Sequence, residues 1–351
     1  MPDLEGVKMI GRVKISNLNP GEIIIPDSRL FLLVRRSAVR SSKTGQRYID
    51  LDLFDGETSV NGKIWDVDDD NETAAQSGNI IHVLNGKVTL YQSLKQISIN
   101  DIEALPFDKI DELCPDILPE SFYKTEQLRQ YWDDIVEQLE PKHRLLIDKF
   151  MADEKMWSLF TTIPGGRSMH HACRHGLWEH SISVAETAMA ISQLFAEKYE
   201  VNVSLTVTAA LLHDVGKLFE FQINRSTSMV ERYTDRGRLL GHIYMGASWI
   251  EKFVAGCYPD DEDLKIDLIH ILLSHHGEYE FGSPKLPSTI EALIVSTCDK
   301  LDADCDAIRS ELVSGQPDGN WTKKVFMLDR EFFKRRTDAD EGAPQPDDDN
   351  N

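Results

Sequence analysis

The sequence predicts a multidomain α+β protein, with a five-stranded β-barrel in its N-terminal third and an all-α helical bundle in its C-terminal part. Short apolar segments, several with alternating polarity, are separated by turn dipeptides throughout residues 29–105. From residue 124 onward, apolar positions instead recur at helical spacing. The last fifteen residues hold six acids and no large apolar side chain, which is typical of a disordered tail.

These shifts in pattern predict four segments. Residues 1–107 form the barrel domain, residues 108–160 a helical connector, residues 161–336 the helical domain, and residues 337–351 the acidic tail. At roughly 150 residues per domain, a chain of 351 residues is long enough for about two domains, each with its own core.

Composition limits the classes of protein to consider. The net charge of −21 opposes nucleic-acid binding unless part of the surface reverses it, yet residues 1–105 carry 12 Lys and Arg against 15 Asp and Glu. The five cysteines form no CxxC pair, which argues against a disulfide framework and a thiolate zinc site. With no signal-like leader and no apolar stretch of membrane-spanning length, we expect a cytoplasmic protein without a membrane partner.

The barrel prediction depends on the strand pattern. Strands are predicted at 29–36, 48–54, 58–65, 80–84, 87–93 and 95–105, with turns at Asp55-Gly56 and Asn85-Gly86. Five or six short strands without a helix of any length are typical of an OB-type barrel.

A basic segment joins the first two predicted strands, and no acid interrupts it from residue 29 to residue 49. Cations beside aromatic rings are what single-stranded nucleic acid requires, since cations contact phosphates and rings stack on bases. A solvated loop beside core aromatics is the alternative. The predicted binding residues are Arg35, Arg36, Arg40, Lys43, Arg47, Tyr48 and Trp65.

Nine of the eleven histidines lie between residues 161 and 313, and several have acids beside them. The predicted helix 205–218 is apolar nearly all round but contains His213 and Asp214. A buried carboxylate is costly unless it is paired or bound to metal. A simple His–Asp hydrogen bond would satisfy this pair, but other helices also present His or Asp from a buried face or an end: His180, His242, His275, His276 and Asp299.

We therefore predict a two-metal site with Asp214 as the bridge. One ion would use His180, His213, Asp214 and Asp299, and the other would use His242, His275 and His276. Imidazole and carboxylate ligands without thiolate suit Mn²⁺, Fe²⁺, Co²⁺ or Zn²⁺. Two such ions would activate a shared water as hydroxide, so that no Ser or Cys nucleophile is required. Lys217, one turn further on, is predicted to neutralise phosphate charge, although it could also be an exposed lysine at a helix end.

His180, the His213-Asp214 pair and Asp299 resemble the HD phosphohydrolase superfamily. More closely, segments 169–181, 211–218, 233–243, 271–287 and 291–303 resemble the YhaM-type 3′–5′ exoribonucleases, in which an OB-fold precedes the HD domain; the resemblance covers about residues 8–315. It implies a manganese-assisted enzyme that removes nucleoside 5′-monophosphates from the 3′ end of single-stranded RNA, with single-stranded DNA left open. It also implies metal roles for the seven residues of the two-metal site.

The segment before His180 matches this family with some departures. His170 and His171 match a pair of family histidines, and either substrate contact or a structural role would explain them. His175, Trp178 and Ser181 depart from the family pattern, which leaves only the local shape of the pocket in doubt.

Three alternatives remain. A cyclic-dinucleotide phosphodiesterase shares the order of ligands, but Gly-Tyr-Pro would be expected where this chain has Gly282-Ser283-Pro284. A nucleotide phosphohydrolase would need no barrel. A non-enzymatic single-stranded nucleic-acid-binding protein would be favoured by missing ligands, and none is missing. The sequence leaves the metal, the choice between RNA and DNA and the oligomeric state open.

Overall fold

The computed structural model describes residues 12–92, 94–167, 170–314, 320–325 and 327–335, so the predicted tail at 337–351 lies outside the described residues. The chain divides into two compact units, residues 1–303 and 304–351. The first unit contains the barrel and the candidate site. In the second, short bridges pair Trp321 with Phe333 and Val325 with Arg330. The predicted α+β class is confirmed.

Five strands close the barrel. In chain order the strands are β1 (Ile23–Ile24), β2 (Phe31–Ser41), β3 (Arg47–Phe54), β4 (Ser59–Ile64), β5 (Ile80–Tyr91) and β6 (Leu94–Ala104). Strands β2, β3, β4, β6 and β5 pair in that order and β5 returns to β2, while β1 adds to β5. Strands β4 and β6 are parallel. Alternate residues fill the barrel, among them Leu32, Val34, Ile49, Leu51, Leu53, Ile64, Ile97 and Ile99.

Three local predictions within the barrel are wrong. Strand β5 continues through Asn85-Gly86, where a turn is predicted. The glycine serves close packing instead, since a Cβ at Gly86 would lie 2.9 Å from the carbonyl oxygen of Ser98 on β6. A short helix, α1 (Asp69–Ala74), follows β4. Strand β2 extends to Ser41, so much of the basic segment lies on a strand and not in a loop.

The rest of the first unit is mainly helical. The helices are α2 (Ile110–Leu113), α3 (Thr125–Glu137), α4 (Pro141–Ala152), α5 (Glu154–Phe160), α6 (Gly176–Tyr199), α7 (Val203–Leu212), α8 (Lys217–Glu220), α9 (Asp235–Cys257), α10 (Glu262–Ser274) and α11 (Ile290–Ser314), which continues into the second unit; β7 (Phe221–Ile223) and β8 (Val230–Tyr233) form a hairpin. Pro141 is the first residue of α4, where its missing N–H costs no hydrogen bond, and it separates α4 from α3.

The connector helices share one core with the helices that carry the histidines. Trp132, Phe150 and Phe160 are fully or almost fully buried and belong to the same apolar cluster as Leu177 and Leu211. Helices α3 to α5 therefore pack against α6 and α7 in one core. Among the described residues, no helix is both long and apolar enough to cross a membrane.

The barrel contacts the helical part through the loop that precedes β5. The Thr227 hydroxyl donates to the Gly78 carbonyl at 2.7 Å, and Asn224 Nδ2 donates to Asn79 Oδ1 at 3.0 Å. Arg167 donates to the Ser77 hydroxyl at 3.3 Å. These bonds join the barrel to the β7–β8 hairpin and to the segment before α6, within one compact unit.

Candidate metal centre

Helix ends and a kink bring the predicted ligands to one place. His213 and Asp214 were predicted to lie inside a helix, but they follow directly after the end of α7. His275 and His276 likewise follow α10. Gly277 follows them with a φ of 79°, the left-handed conformation that glycine adopts where a helix ends. His242 follows Gly241, whose non-helical φ of 71° and ψ of 158° interrupt α9.

The first half-site consists of His180, His213, Asp214 and Asp299. The Nε2 atoms of His180 and His213 lie 3.1 Å apart. Asp299 Oδ1 lies 3.1 Å from His180 Nε2, and Asp214 Oδ2 lies 3.3 Å from His213 Nε2. Both imidazoles and Asp214 are almost completely buried. The structure thus brings together all four residues assigned by the sequence to one ion.

The second half-site consists of Asp214, His242, His275 and His276. The other carboxylate oxygen of Asp214, Oδ1, lies 3.5 Å from His242 Nε2 and 3.7 Å from His275 Nε2. The three histidines each place a ring nitrogen within 4.8 Å of those of the other two. Asp214 therefore directs one oxygen toward each half-site, which is the geometry required of a bridging carboxylate.

The hydrogen bonds around these atoms test whether they fit a metal. Asp214 Oδ1, His242 Nε2 and His275 Nε2 are buried without a hydrogen-bond partner, and they face one another. In the first half-site, His213 Nδ1 donates to the Ala210 carbonyl at 2.7 Å. The Nδ1 atom therefore carries the proton, and Nε2 presents a lone pair. Buried acceptors facing one another are costly unless a cation lies between them. These residues fit divalent cations.

The pKa values in the first half-site show that its carboxylates stabilise positive charge on neighbouring groups. Burial lowers the pKa of His213, but Asp214 and Asp299 outweigh burial and raise it to about 10. Burial raises the pKa of Asp214, yet Lys217 and His213 hold it well below the usual range. The same carboxylates would stabilise divalent cations.

The three other residues predicted near the reaction lie around this centre. Lys217 is buried, and its Nζ lies 2.6 Å from Asp214 Oδ2, so it is not an exposed helix-end lysine. His171 Nε2 lies 2.7 Å from Asp302 Oδ2. His170 has an unpartnered buried Nδ1, and burial and Lys217 lower the pKa of His170 to about 4. His170 is therefore the better placed of the two for substrate.

On the barrel, the predicted basic residues separate into two groups. Arg35 lies with its guanidinium 3.7 Å from the centre of the Phe54 ring and is largely withdrawn from solvent. Arg36, Arg40, Lys43 and Arg47 are exposed, although Arg40 pairs with Asp50 at 3.2 Å and Arg47 with Glu72 at 3.6 Å. The predicted positive face is thus partly neutralised.

An aromatic group on the outer face of β3 to β5 was only partly anticipated. The rings of Tyr48 and Trp65 lie 4.9 Å apart. Lys63 Nζ lies 5.2 Å from the Tyr48 ring, 5.7 Å from the Trp65 ring and 5.5 Å from the Tyr91 ring. We call these four residues the aromatic platform. Lys63 escaped sequence reasoning because strand pairing alone places it between the rings.

Two carboxylates next to the ligands also escaped assignment. Asp302 and Glu220 bond the Nδ1 atoms of His180 and His242. Asp302 has a signal in the sequence, since it lies one helical turn after Asp299. Glu220 has none, because only folding brings it to His242.

Comparison with known proteins agrees with this geometry. The HD domain family model matches residues 177–304. Proteins named 3′-5′ exoribonuclease YhaM are similar over most of the chain: that of Listeria welshimeri is 31% identical over 88% of this chain and 95% of its own length. That of Oceanobacillus iheyensis is 29% identical over 89% of this chain and 95% of its own length. By this similarity the chain belongs to the YhaM family, whose curated members carry the name 3′-5′ exoribonuclease.

Proposed function

We propose that this protein is a metal-dependent 3′–5′ exoribonuclease that hydrolyses single-stranded RNA to nucleoside 5′-monophosphates. The observation that carries the proposal is Asp214, whose two oxygens face two groups of histidines at 3.3 to 3.7 Å, with unpartnered buried nitrogens between. Family membership supplies the substrate class and the polarity. A cytoplasmic location is part of the proposal, and five cysteines outside any disulfide accord with a reducing compartment.

We expect two ions, with Mn²⁺ as the first choice and Fe²⁺, Co²⁺ or Zn²⁺ as alternatives. When bound, they would polarise the phosphate and lower the pKa of a bound water. Charge supports two ions. With neutral histidines, the carboxylates of Asp214, Asp299, Asp302 and Glu220 outnumber the Lys217 ammonium by three charges, and two divalent ions would leave one positive charge for the phosphodiester.

The protein's own residues would position the substrate. Lys217 already lies beside the Asp214 carboxylate, where its ammonium can stabilise the charge that develops on the phosphate. His170, neutral because of its lowered pKa, can donate or accept one hydrogen bond at the edge of the first half-site. Neither residue needs to become a covalent nucleophile.

The aromatic platform would hold the RNA upstream of the reacting end. Trp65 and Tyr91 expose 38% and 58% of their surface, so both can stack on bases. Lys63 between them supplies a charge for the backbone. Single-stranded DNA has the same phosphates and closely similar bases, and we therefore propose it as a second ligand.

The test uses RNA labelled at its 5′ end. The protein is stripped with chelator, and Mn²⁺ is then restored. We expect no cleavage before addition, and afterwards a ladder of shortening labelled products together with nucleoside 5′-monophosphates. Asp214→Asn should remain inactive with Mn²⁺, whereas Glu251→Gln, on the exposed surface of α9, should behave like the wild type.

Other outcomes would contradict the proposal. Immediate release of a labelled mononucleotide would indicate the opposite polarity. Intact RNA alongside hydrolysis of cyclic di-GMP or of a nucleoside triphosphate would favour the other HD-type activities. Cleavage that persists in chelator would exclude the metal.

A further inference from the structure

Each of the five histidines of the two half-sites has an occupied Nδ1 atom. His213, His275 and His276 bond backbone carbonyls, those of Ala210, Leu272 and Phe281, at 2.7, 2.6 and 2.8 Å. A carbonyl oxygen only accepts, so Nδ1 carries the proton in these three rings and Nε2 is left as the ligand.

The remaining two histidines are held by carboxylates. His180 Nδ1 lies 2.7 Å from Asp302 Oδ2, and His242 Nδ1 lies 3.3 Å from Glu220 Oε2. A carboxylate fixes the same tautomer as a carbonyl but adds a negative charge, which makes the imidazole a stronger donor to a metal. One such pair serves each half-site.

We propose that Asp302 and Glu220 are positioning residues that set the affinity of the two half-sites separately, Asp302 through His180 and Glu220 through His242. This inference rests on the proposed metal dependence. Neither carboxylate has an oxygen assigned to an ion. Each acts through one of the five half-site histidines, and those two, His180 and His242, lie next to different oxygens of Asp214.

Glu220 is needed because of the kink at Gly241. The kink interrupts α9 immediately before His242, so no regular helical turn precedes this histidine to offer a carbonyl. Glu220 replaces that turn: its Oε1 accepts the backbone N–H of His242 at 3.0 Å, while the carboxylate also holds the ring. Close packing makes this possible, since a Cβ at Gly237 would lie 2.5 Å from the Glu220 carbonyl oxygen.

Asp302 has a second partner, which separates its charge from its geometry. The same Oδ2 atom bonds His180 Nδ1 and His171 Nε2, each at 2.7 Å. In Asp302→Asn, the amide oxygen can accept both bonds, and only the charge is lost. In Glu220→Gln, the amide group can donate to His242 Nδ1 and so force the proton onto Nε2, the nitrogen that must ligate.

The experiment measures Mn²⁺ binding by calorimetry and by electron paramagnetic resonance on the full chain without RNA. We expect two ions in the wild type and a loss of about 10- to 100-fold in the affinity for one of them in Glu220→Gln. Asp302→Asn should weaken the other ion by a smaller factor, and Asp302→Ala by a larger one. Glu251→Gln, an exposed carboxylate variant on α9, is the matched control.

Repeating both substitutions in a His276→Ala variant assigns each ion to its half-site. In His276→Ala, the second half-site is incomplete, so Asp302→Asn should weaken the ion that remains and Glu220→Gln should not. If Glu220→Gln weakens that ion equally, or if both variants bind Mn²⁺ like the wild type while two ions are present, the inference is wrong and the metal dependence stands. Failure of the wild type to bind Mn²⁺ would overturn both the inference and the proposed metal dependence.

Two controls complete the experiment. Circular dichroism of the helices checks that each variant folds. The Mn²⁺ affinity of Glu220→Asp, which keeps the charge at shorter reach, should lie between those of the wild type and Glu220→Gln.

Discussion

The Nε2 atoms of His180 and His213 lie 3.1 Å apart in the first half-site. The Nδ1 atoms of the same rings are already hydrogen-bonded, to Asp302 in His180 and to the Ala210 carbonyl in His213. Two neutral imidazoles in this arrangement point lone pairs at each other. Such an arrangement is stable only with a positive charge at the nitrogens, which a proton or a metal ion supplies. A fold that brings these atoms together is organised around a cation.

The first prediction separates metal binding from RNA binding. His213→Ala removes a ligand, and we expect kcat to fall by at least about 10²-fold, since even the loss of an outer carboxylate costs metal sites 10–100-fold. RNA affinity, measured by fluorescence anisotropy, should change by less than about twofold, because the aromatic platform lies on the barrel and not in the centre. A comparable loss of RNA affinity would show that the centre itself provides most of the binding.

Lys217 offers a test of catalysis apart from metal affinity. Its ammonium lies 2.6 Å from Asp214 Oδ2, where it competes with an ion for the same oxygen. Lys217→Met should therefore bind Mn²⁺ at least as tightly as the wild type, yet lose about 10²- to 10³-fold in kcat, as removal of one oxyanion donor does. Single-turnover kinetics and calorimetry measure the two quantities. Weaker Mn²⁺ binding in the variant would mean that Lys217 maintains the site and does not act on phosphate.

The aromatic platform should affect long RNA more than short RNA. Trp65→Ala combined with Lys63→Ala removes a ring and the shared cation, and we expect KM for a long single strand to rise by about 10-fold, since base stacking contributes about 1–3 kcal/mol per base. Cleavage of a dinucleotide, which has no upstream strand for the platform to hold, should be unchanged. Lys155→Ala on the exposed side of α5 is the control. Equal changes for both substrates would leave the barrel with a purely structural role.

The pH dependence of stability can be predicted at Asp116, away from the metal centre. Burial raises the pKa of Asp116, but Arg12 and Lys14, at 2.8 and 2.7 Å, outweigh it and lower the pKa to about 2. Because the folded-state value lies below the unfolded one, the contribution is fully present above about pH 4 and is lost as the pH falls through about 2.

Asp116→Asn should therefore lower the free energy of unfolding at pH 7 by about 1 kcal/mol or less, because the carboxylate is more than half exposed. The difference from the wild type should shrink as the pH falls below 4. Urea unfolding at several pH values measures both, with Asp108→Asn, an exposed neighbour, as the control. A difference that is independent of pH would show that the ion pairs are not responsible.

Sequence periodicity predicted the barrel and the helices because alternation and helical spacing reflect which face is buried. The strands predicted at 48–54 and 58–65, and the break between helices at Pro141, follow from such local patterns. Asn85-Gly86 was misread because the dipeptide that favours a turn also permits the close approach of a neighbouring strand. Strand β2 runs on through the basic segment because it pairs with β3 as far as Ser41. The residue types of the segment alone do not predict this pairing.

By itself, the sequence determined which residue types are available for a metal centre and in what order, since a buried apolar segment tolerates His213 and Asp214 only when their charge is satisfied. Tertiary structure alone decided that Asp214 gives one oxygen to each half-site, and that Glu220 and Asp302 hold His242 and His180. The physical reason is that these contacts depend on distances of a few ångströms between atoms far apart in the chain. Local pattern fixes which face of a helix is buried, but packing fixes what that face meets.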